Sequence, residues 1–354
     1  MIRFPGRDES GDIPRRLSAR VSIIIPCRNE VSTMGGLLRS LVEDTPDDCE
    51  IIVADGCSDD GTREVVAALV AEHPRIRLID NRGLTAAAGL NRAIGVATGQ
   101  YIIRLDAHTR YARDYVATSL RVLEETGAAK VGGPQLAEGF HYIQRAVAVA
   151  AHSPLAVGGS RIHDPAFEGP TDCVIYGCWR REIFDQVGLF DEELARNEDG
   201  EHDRRIGDHG GMVWQSPAIR SWYQPRQRLR DVFRQYSQYG YYKALEFRKF
   251  RRVRSLRHLA PGALVLVWMV LLAASPVVAE ARLALTGLVL AYLGFIGLAT
   301  TQVCAREKAW GVAPVVPLAM MAMQLGYGVG FLRGGWELGI LSRPVNTTFQ
   351  LLTR

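Results

Sequence analysis

Only nine of the 80 charged residues fall in the last 96 positions, 259–354, and this segregation limits what the chain can fold into. The other 71 lie in residues 1–258. The first part can face water on all sides. The second carries too much apolar surface for that and needs another environment. Leu259–Ala279 and Leu283–Val303 each run 21 residues without a charge. Ala309–Leu332 is a third such run, broken by Pro314, Pro317 and several glycines. A helix of about 20 residues rises roughly 30 Å, the thickness of a bilayer's hydrocarbon layer. One such run could be a buried core helix. Three in series, parted only by Glu280-Ala-Arg282 and Arg306-Glu-Lys308, predict a multi-pass membrane region of about three spans. The third is the one that Pro and Gly would kink or make re-entrant.

Net charge divides the same way. Residues 1–225 carry 25 basic and 33 acidic side chains, residues 226–258 carry 11 and 2, and residues 259–354 carry 6 and 3. A basic collar before an apolar tail suits the anionic surface of a plasma or inner membrane, and no nucleic-acid partner is expected. The run Arg248-Lys-Phe-Arg-Arg-Val-Arg254 should stay in the cytoplasm and keep the polar half there. Three spans then put the C-terminus outside, which Arg333, Arg343 and Arg354 mildly oppose. The six cysteines have no CxxC spacing and read as free thiols of a reducing compartment. The N-terminus shows no apolar stretch of signal-peptide type. The chain thus divides into an N-terminal tail (1–20), a globular domain (21–225), a basic amphipathic juxtamembrane segment (226–258) and the apolar region (259–354).

In the globular part, strand-like and helix-like patterns alternate. Val21–Ile25, Glu50–Ala54, Arg75–Ile79 and Tyr101–Leu105 are short runs rich in β-branched and apolar residues. Helical stretches over Val31–Val42, Asp59 to about Glu72, and Leu84–Ala97 separate them. This order predicts an α/β fold, a mainly parallel Rossmann-like sheet with helices on both faces. Ligands of such sheets sit at the carboxyl ends of the strands. Those ends hold Pro26–Glu30, Asp55–Ser58, Asn81–Gly83 and Asp106–His108. Neither GxGxxG nor GxxxxGK[ST] follows the first strand, which counts against a dinucleotide enzyme or an NTPase. Three acidic positions, Glu30, Asp55 and Asp106, gather at one edge. Asp55 can accept hydrogen bonds from a base or ribose, and Asp106 with His108 can hold a divalent cation against a diphosphate. Taken singly, each also suits a strand-end turn or a helix cap, as do Ser58 and Asp60.

Val21–Glu30 (VSIIIPCRNE), Val53–Thr62 (VADGCSDDGT), Ala87–Gly99 (AAGLNRAIGVATG) and Arg104–His108 (RLDAH) together resemble the family 2 inverting glycosyltransferases of GT-A fold, in their succinoglycan glucosyltransferase branch. The resemblance runs from about Val21 through Gly240. It implies that Pro26, Arg28, Asn29, Glu30, Asp55, Ser58, Gly83, Arg104 and Asp106 surround a nucleotide sugar, with Asp55 near the uracil. It makes Asp106 the start of the family's DxD motif, which here departs to Asp106-Ala-His108. DxH variants occur in other enzymes of this fold, so the departure reads as a change of ligand. Asp106 and His108 would hold Mn2+ or Mg2+, and neutral imidazole favours Mn2+.

Tyr176–Phe184 and Val187–Asp191 resemble the family's strand and turn beneath the sugar, with Trp179 on the acceptor side. Asn197-Glu-Asp-Gly-Glu201 resembles its ED motif. An inverting transfer needs a base for the acceptor hydroxyl, and Asp199 is the candidate. Glu198 would orient the acceptor or Asp199, and Glu201 would join the site or cap the helix. All three also suit a helix N-terminus. Gln235-Tyr-Ser-Gln-Tyr-Gly240 resembles the QxxxYG element of non-processive members, which brings Gln235 and Tyr239 to the acceptor, although such aromatics also pack at membrane interfaces. Arg226–His258 reads as an amphipathic helix lying on the membrane.

The resulting expectation is a membrane-bound hexosyltransferase with a cytoplasmic catalytic domain. It would move one sugar, from UDP-glucose or another UDP-sugar, to a polyprenyl-diphosphate-linked saccharide. Its partners would be membrane lipids and other envelope-glycan or exopolysaccharide assembly proteins. Transfer to polyprenyl phosphate itself, or a non-catalytic scaffold of the same fold, are the alternatives. Transport is disfavoured because the apolar runs hold almost no ionisable residues.

Overall fold

The computed structural model describes residues 20–251 and 255–345. The N-terminal tail and the end of the basic run at 252–254 lie outside the described residues, as does Arg354. The expected alternation is present as β1 (Val21–Cys27), α1 (Val31–Asp44), β2 (Glu50–Asp55), α2 (Thr62–Glu72), β3 (Ile76–Asp80), α3 (Ala86–Val96) and β4 (Tyr101–Arg104). After it come β5 (Thr109–Tyr111), α4 (Tyr115–Thr126), β6 (Lys130–Gly132), β7 (Gln135–Ala137), α5 (Tyr142–Ala151), β8 (Gly169–Pro170) and β9 (Gly177–Arg180). The globular part closes with α6 (Glu182–Val187), α7 (Glu198–Asp208), β10 (Val213–Gln215) and β11 (Ser221–Tyr223).

Eight strands form one mixed sheet in the order β3-β2-β1-β4-β9-β6-β10-β8. The first four run parallel, and β9 pairs antiparallel with both β4 and β6. A second sheet, β5-β11-β7, stands beyond the carboxyl end of β4. Strand alternation splits the core between the two faces. Ile23, Ile25, Ile51 and Val53 pack with Met34, Leu38, Val66 and Leu69 of α1 and α2. Ile24, Ile52 and Ile102 pack on the other face with Ala87, Leu90 and Ala93 of α3 and with Trp179. Alanines let α3 lie close to the sheet, so its N-terminus stays near the end of β1.

His202 of α7 is fully buried on that second face, stacked on Phe190 with ring centroids 4.6 Å apart. Burial, together with Lys130 and Arg205, pushes its pKa from 6.5 down to about 3. Between pH 6.5 and about 3 an unfolded chain binds this proton and the folded chain does not, so stability decreases as the pH is lowered from 6.5 toward 3. Between pH 6.5 and about pH 5 the loss from this one group is roughly 2 kcal/mol. His202→Gln is therefore expected to flatten the acid dependence of the thermal midpoint in detergent. An unchanged slope would mean that His202 is already protonated in the fold.

The C-terminal part consists of α8 (Leu229–Phe250), α9 (Ala260–Ala274), α10 (Ala279–Arg306) and α11 (Val316–Gly334). Two stretches among the described residues, Leu256–Ala274 and Ala279–Arg306, are long and apolar enough to cross a membrane. Much of their apolar surface points outward without protein cover: Leu272 is 63% exposed and Leu283 75%, while Tyr292, Ile296 and Val303 of the second pack against protein. The third expected span is not among them. Its residues form α11, which lies along α8 through glycines. A Cβ on Gly330 would stand 1.9 Å from the Ser237 carbonyl oxygen, and one on Gly240 would stand 2.1 Å from that of Tyr327. Small residues at this spacing let two helix backbones touch, and glycine and proline dilute the run's hydropathy. Part of Arg226–His258, expected as an amphipathic helix lying on the membrane, forms α8 and makes this contact. Val232, Ser237, Tyr241, Tyr242 and Leu245 of α8 are buried against protein.

Candidate active site

A cavity of about 1300 Å³ opens at the carboxyl ends of β1 and β4 and reaches α8, α9 and α11. Pro26, Arg28, Asn29, Glu30, Arg104, Asp106 and His108 line its sheet side. Glu198, Asp199, Gln235 and Tyr239 line it as well, the first two in contact with Arg104.

The turn after β1 is built from side-chain bonds to backbone. Asn29 takes a left-handed conformation (φ 58°), and its Oδ1 accepts from the Asp59 amide at 3.0 Å. The Glu30 amide donates to Thr62 Oγ1 at 2.7 Å, and Thr33 Oγ1 donates to the Glu30 carboxylate at 2.8 Å. Asp55 is buried with its carboxylate already engaged. Ser58 Oγ donates to it at 2.5 Å, and Arg63 lies 3.3 Å away. Ser58 Oγ in turn accepts from the Asn29 amide at 2.9 Å. Asp55 and Ser58 thus brace the Asn29 turn and do not line the cavity, contrary to their expected place around the donor. Gly83 also lies off the cavity wall, which is formed nearby by Asn81, Leu84 and Thr85. Asp60 accepts from the Val31 and Thr62 amides and acts as a cap.

The centre of the site is Arg104, 3% exposed on the last residue of β4. Its guanidinium meets three carboxylates, Asp106 at 3.1 Å, Glu198 at 3.0 Å and Asp199 at 2.9 Å. Behind it, Lys130 Nζ is fully buried, 2.8 Å from Asp203 and 3.7 Å from Asp199. Four carboxylates therefore share two cations in a water-poor pocket. Burial, with Asp199 nearby, pushes Asp203 up to about 6 against the pull of Lys130. Burial also pushes Glu198 upward, against the pull of Arg104. Such an arrangement favours any further positive charge that enters.

His108 is half-exposed to the cavity, with Nδ1 3.1 Å from Glu30 Oε1. The enclosing walls push its pKa down. Asp106 pulls it up, and Arg226, Arg196 and Arg104 add to the lowering. The imidazole is thus kept neutral, the form that ligates metals. The Asp106 amide donates to Tyr111 Oη at 2.7 Å, which fixes the turn carrying both side chains. Among the described residues, no three His, Cys, Asp or Glu side chains group as a metal site. Asp106 and His108 give a mixed oxygen and nitrogen pair, which suits an ion that completes its shell with ligand oxygens and water.

On the acceptor side, Asn197 is also left-handed (φ 65°), and its Nδ2 donates to the Tyr239 carbonyl at 3.0 Å. This bond ties the start of α7 to α8. Gln235 Nε2 donates to Tyr239 Oη at 3.1 Å. Two expected acceptor residues are placed elsewhere. Trp179 has no exposure and packs in the core against Phe184, Phe190 and His202, because its strand position points into the α3 face. Glu201 is 4% exposed and pairs with Arg205 at 2.7 Å one turn on, so it serves the helix. Sequence reasoning missed Lys130 and Asp203. Asp203 stands four residues after Asp199, one helical turn, which was a legible signal; Lys130 in a three-residue strand gave none.

The sequence pattern of glycosyl transferase family 2 matches residues 22–188. The succinoglycan biosynthesis protein ExoA of Rhizobium meliloti (strain 1021) is 33% identical over 320 residues, 88% of this chain and 93% of that protein. A dolichyl N-acetyl-alpha-D-glucosaminyl phosphate 3-beta-D-2,3-diacetamido-2,3-dideoxy-beta-D-glucuronosyltransferase of Methanococcus voltae is 27% identical over 61% of this chain and 70% of its own length. The solved mannosyltransferase PcManGT of Pyrobaculum calidifontis, in complex with GDP-Man and Mn2+, superposes with a TM-score of 0.59 at 21% identity. That superposition covers 93% of this chain and 91% of PcManGT, a likeness of fold. With a relative this similar along nearly its whole length, the chain belongs to glycosyltransferase family 2 and is a glycosyltransferase of GT-A fold.

Proposed function

We propose that this enzyme transfers a single sugar, with inversion, from a UDP-sugar to a saccharide carried on polyprenyl diphosphate, in exopolysaccharide or envelope-glycan assembly. The observation that carries this reading is the convergence of Asp106, Glu198 and Asp199 on Arg104 inside one cavity. The cavity is larger than a nucleotide sugar needs and continues to the apolar helices. The names of the Rhizobium and Methanococcus relatives, one a succinoglycan biosynthesis protein and one acting on a dolichyl-linked sugar, support a polysaccharide product and a lipid-borne acceptor. The bare apolar faces of α9 and α10 support a membrane location, with the basic collar holding the catalytic part in the cytoplasm.

Asp199 takes the proton of the acceptor hydroxyl as that oxygen attacks the anomeric carbon. The carbon–oxygen bond to the diphosphate breaks, and its electron pair leaves with UDP. Arg104 holds Asp199 and Glu198 at fixed distances, so the base need not reorganise during transfer. Asp106 and His108 would hold Mn2+ or Mg2+, which supplies positive charge to the leaving diphosphate. The Asn29 turn and Glu30 bound the nucleoside. Release of UDP from a panel of UDP-sugars, tested with lipid-linked saccharide acceptors and with or without divalent metal, checks this reading. Release should require one donor, an acceptor and metal together. Absence of release across the panel, with UDP still bound, would sink it.

A further inference from the structure

Of the guanidinium groups on the cavity wall, Arg28, Arg196, Arg226 and Arg228 have no carboxylate at ion-pair distance among the described residues; Arg28 and Arg228 are exposed, whereas Arg196 and Arg226 are half-buried. Arg196 precedes α7 and Arg226 follows β11, so separate loops bring them to the same space. Arg226 is half-buried and has no hydrogen-bond acceptor or ion-pair partner among the described residues. The carboxylate of Asp231 acts on it at a distance but sits 3.8 Å from Arg230. Arg196 has one long contact, 3.4 Å from Nε to Gln238 Oε1. Each cation disfavours the other, and burial with Arg196 nearby pushes the pKa of Arg226 down. Like charges brought together in an enclosed space imply an anion between them. His108 of the donor edge lines the same cavity. So do Pro261 of α9 and Met323 and Tyr327 of α11.

We infer that Arg196 and Arg226 form a phosphate-binding pair that holds the diphosphate of the lipid acceptor, between its saccharide and its hydrocarbon chain. The inference rests on the reading that the acceptor is carried on a lipid phosphate. An amphiphile of that kind needs an anion site in a cavity that has both polar and apolar walls, and the two arginines line such a cavity. A fork of guanidinium donors suits phosphate oxygens better than an ammonium does. The donor diphosphate is the other possible source of the same chemistry, and the experiment separates the two.

Binding of farnesyl diphosphate, farnesol and UDP with Mn2+ is measured on the full chain in detergent. Wild type should prefer farnesyl diphosphate over farnesol by about tenfold or more. Arg226→Gln should bring that preference within about twofold and leave UDP affinity unchanged within about twofold. Arg226→Lys should restore part of the preference, and Arg196→Gln should act in the same direction as Arg226→Gln. Retained UDP affinity also reports that the variants are folded. Loss of UDP affinity in parallel would assign the pair to the donor and overturn the inference. So would a preference that survives Arg226→Gln, or its absence in wild type. None of these measurements needs transfer to occur, so failure here is distinct from failure of the UDP-release screen.

Discussion

Asp199→Asn is expected to lower kcat by about 10²–10⁴-fold while leaving UDP affinity within about threefold. Asparagine keeps the shape and can still accept from Arg104 through its carbonyl oxygen, in the place of Asp199 Oδ1, which lies 2.9 Å from Arg104 Nη1. It cannot take a proton. The charge that is lost strands neither cation. Arg104 keeps Asp106 and Glu198, and Lys130 keeps Asp203 at 2.8 Å. The fold should therefore hold, and the loss should fall on the chemical step. Glu198→Gln should cost less, because Glu198 shares Arg104 with Asp199 without being the proton acceptor. Single-turnover rates for both variants with a lipid-linked saccharide test this. An acceptor that is already an anion, polyprenyl phosphate, requires no base. Near-normal activity of Asp199→Asn would therefore favour transfer to the lipid phosphate itself.

The sheet was legible because its signals are local. Each of the first four strands is a short apolar run followed by Pro or Asp, and the structure moves their limits by no more than two residues. The acidic edge was legible because parallel strands place their carboxyl ends together. Side-chain direction was not. Trp179 sits in a motif that touches the acceptor side, but period-two alternation sends it into the core beside Lys130. Asp55 reaches the right strand end and then spends its oxygens on Ser58 and Arg63. For the third apolar run the sequence left open what the helix packs against. Length and lack of charge say nothing about whether a helix meets lipid or another helix, and the glycines that dock α11 onto α8 look from sequence like mere weakening of a span.

His108→Ala is expected to remove most of the metal dependence of UDP binding, a loss of roughly 100-fold in affinity measured with Mn2+. The pair Asp106 and His108 has no third acidic or imidazole ligand among the described residues, so losing one member halves the protein's share of the shell. Ala leaves Glu30 without its 3.1 Å contact to the imidazole, but Thr33 still donates to that carboxylate, and the backbone turn is fixed independently by Tyr111. UDP affinity without metal should therefore be the same in variant and wild type. His108→Asp should keep metal dependence and move preference from Mn2+ toward Mg2+, because a carboxylate is the harder ligand. Calorimetric titration of UDP with each ion reads both effects without any turnover. Equal Mn2+ dependence in His108→Ala and wild type would remove His108 from the metal site. Asp106 would then be left to act through Arg104, with which it is already paired at 3.1 Å.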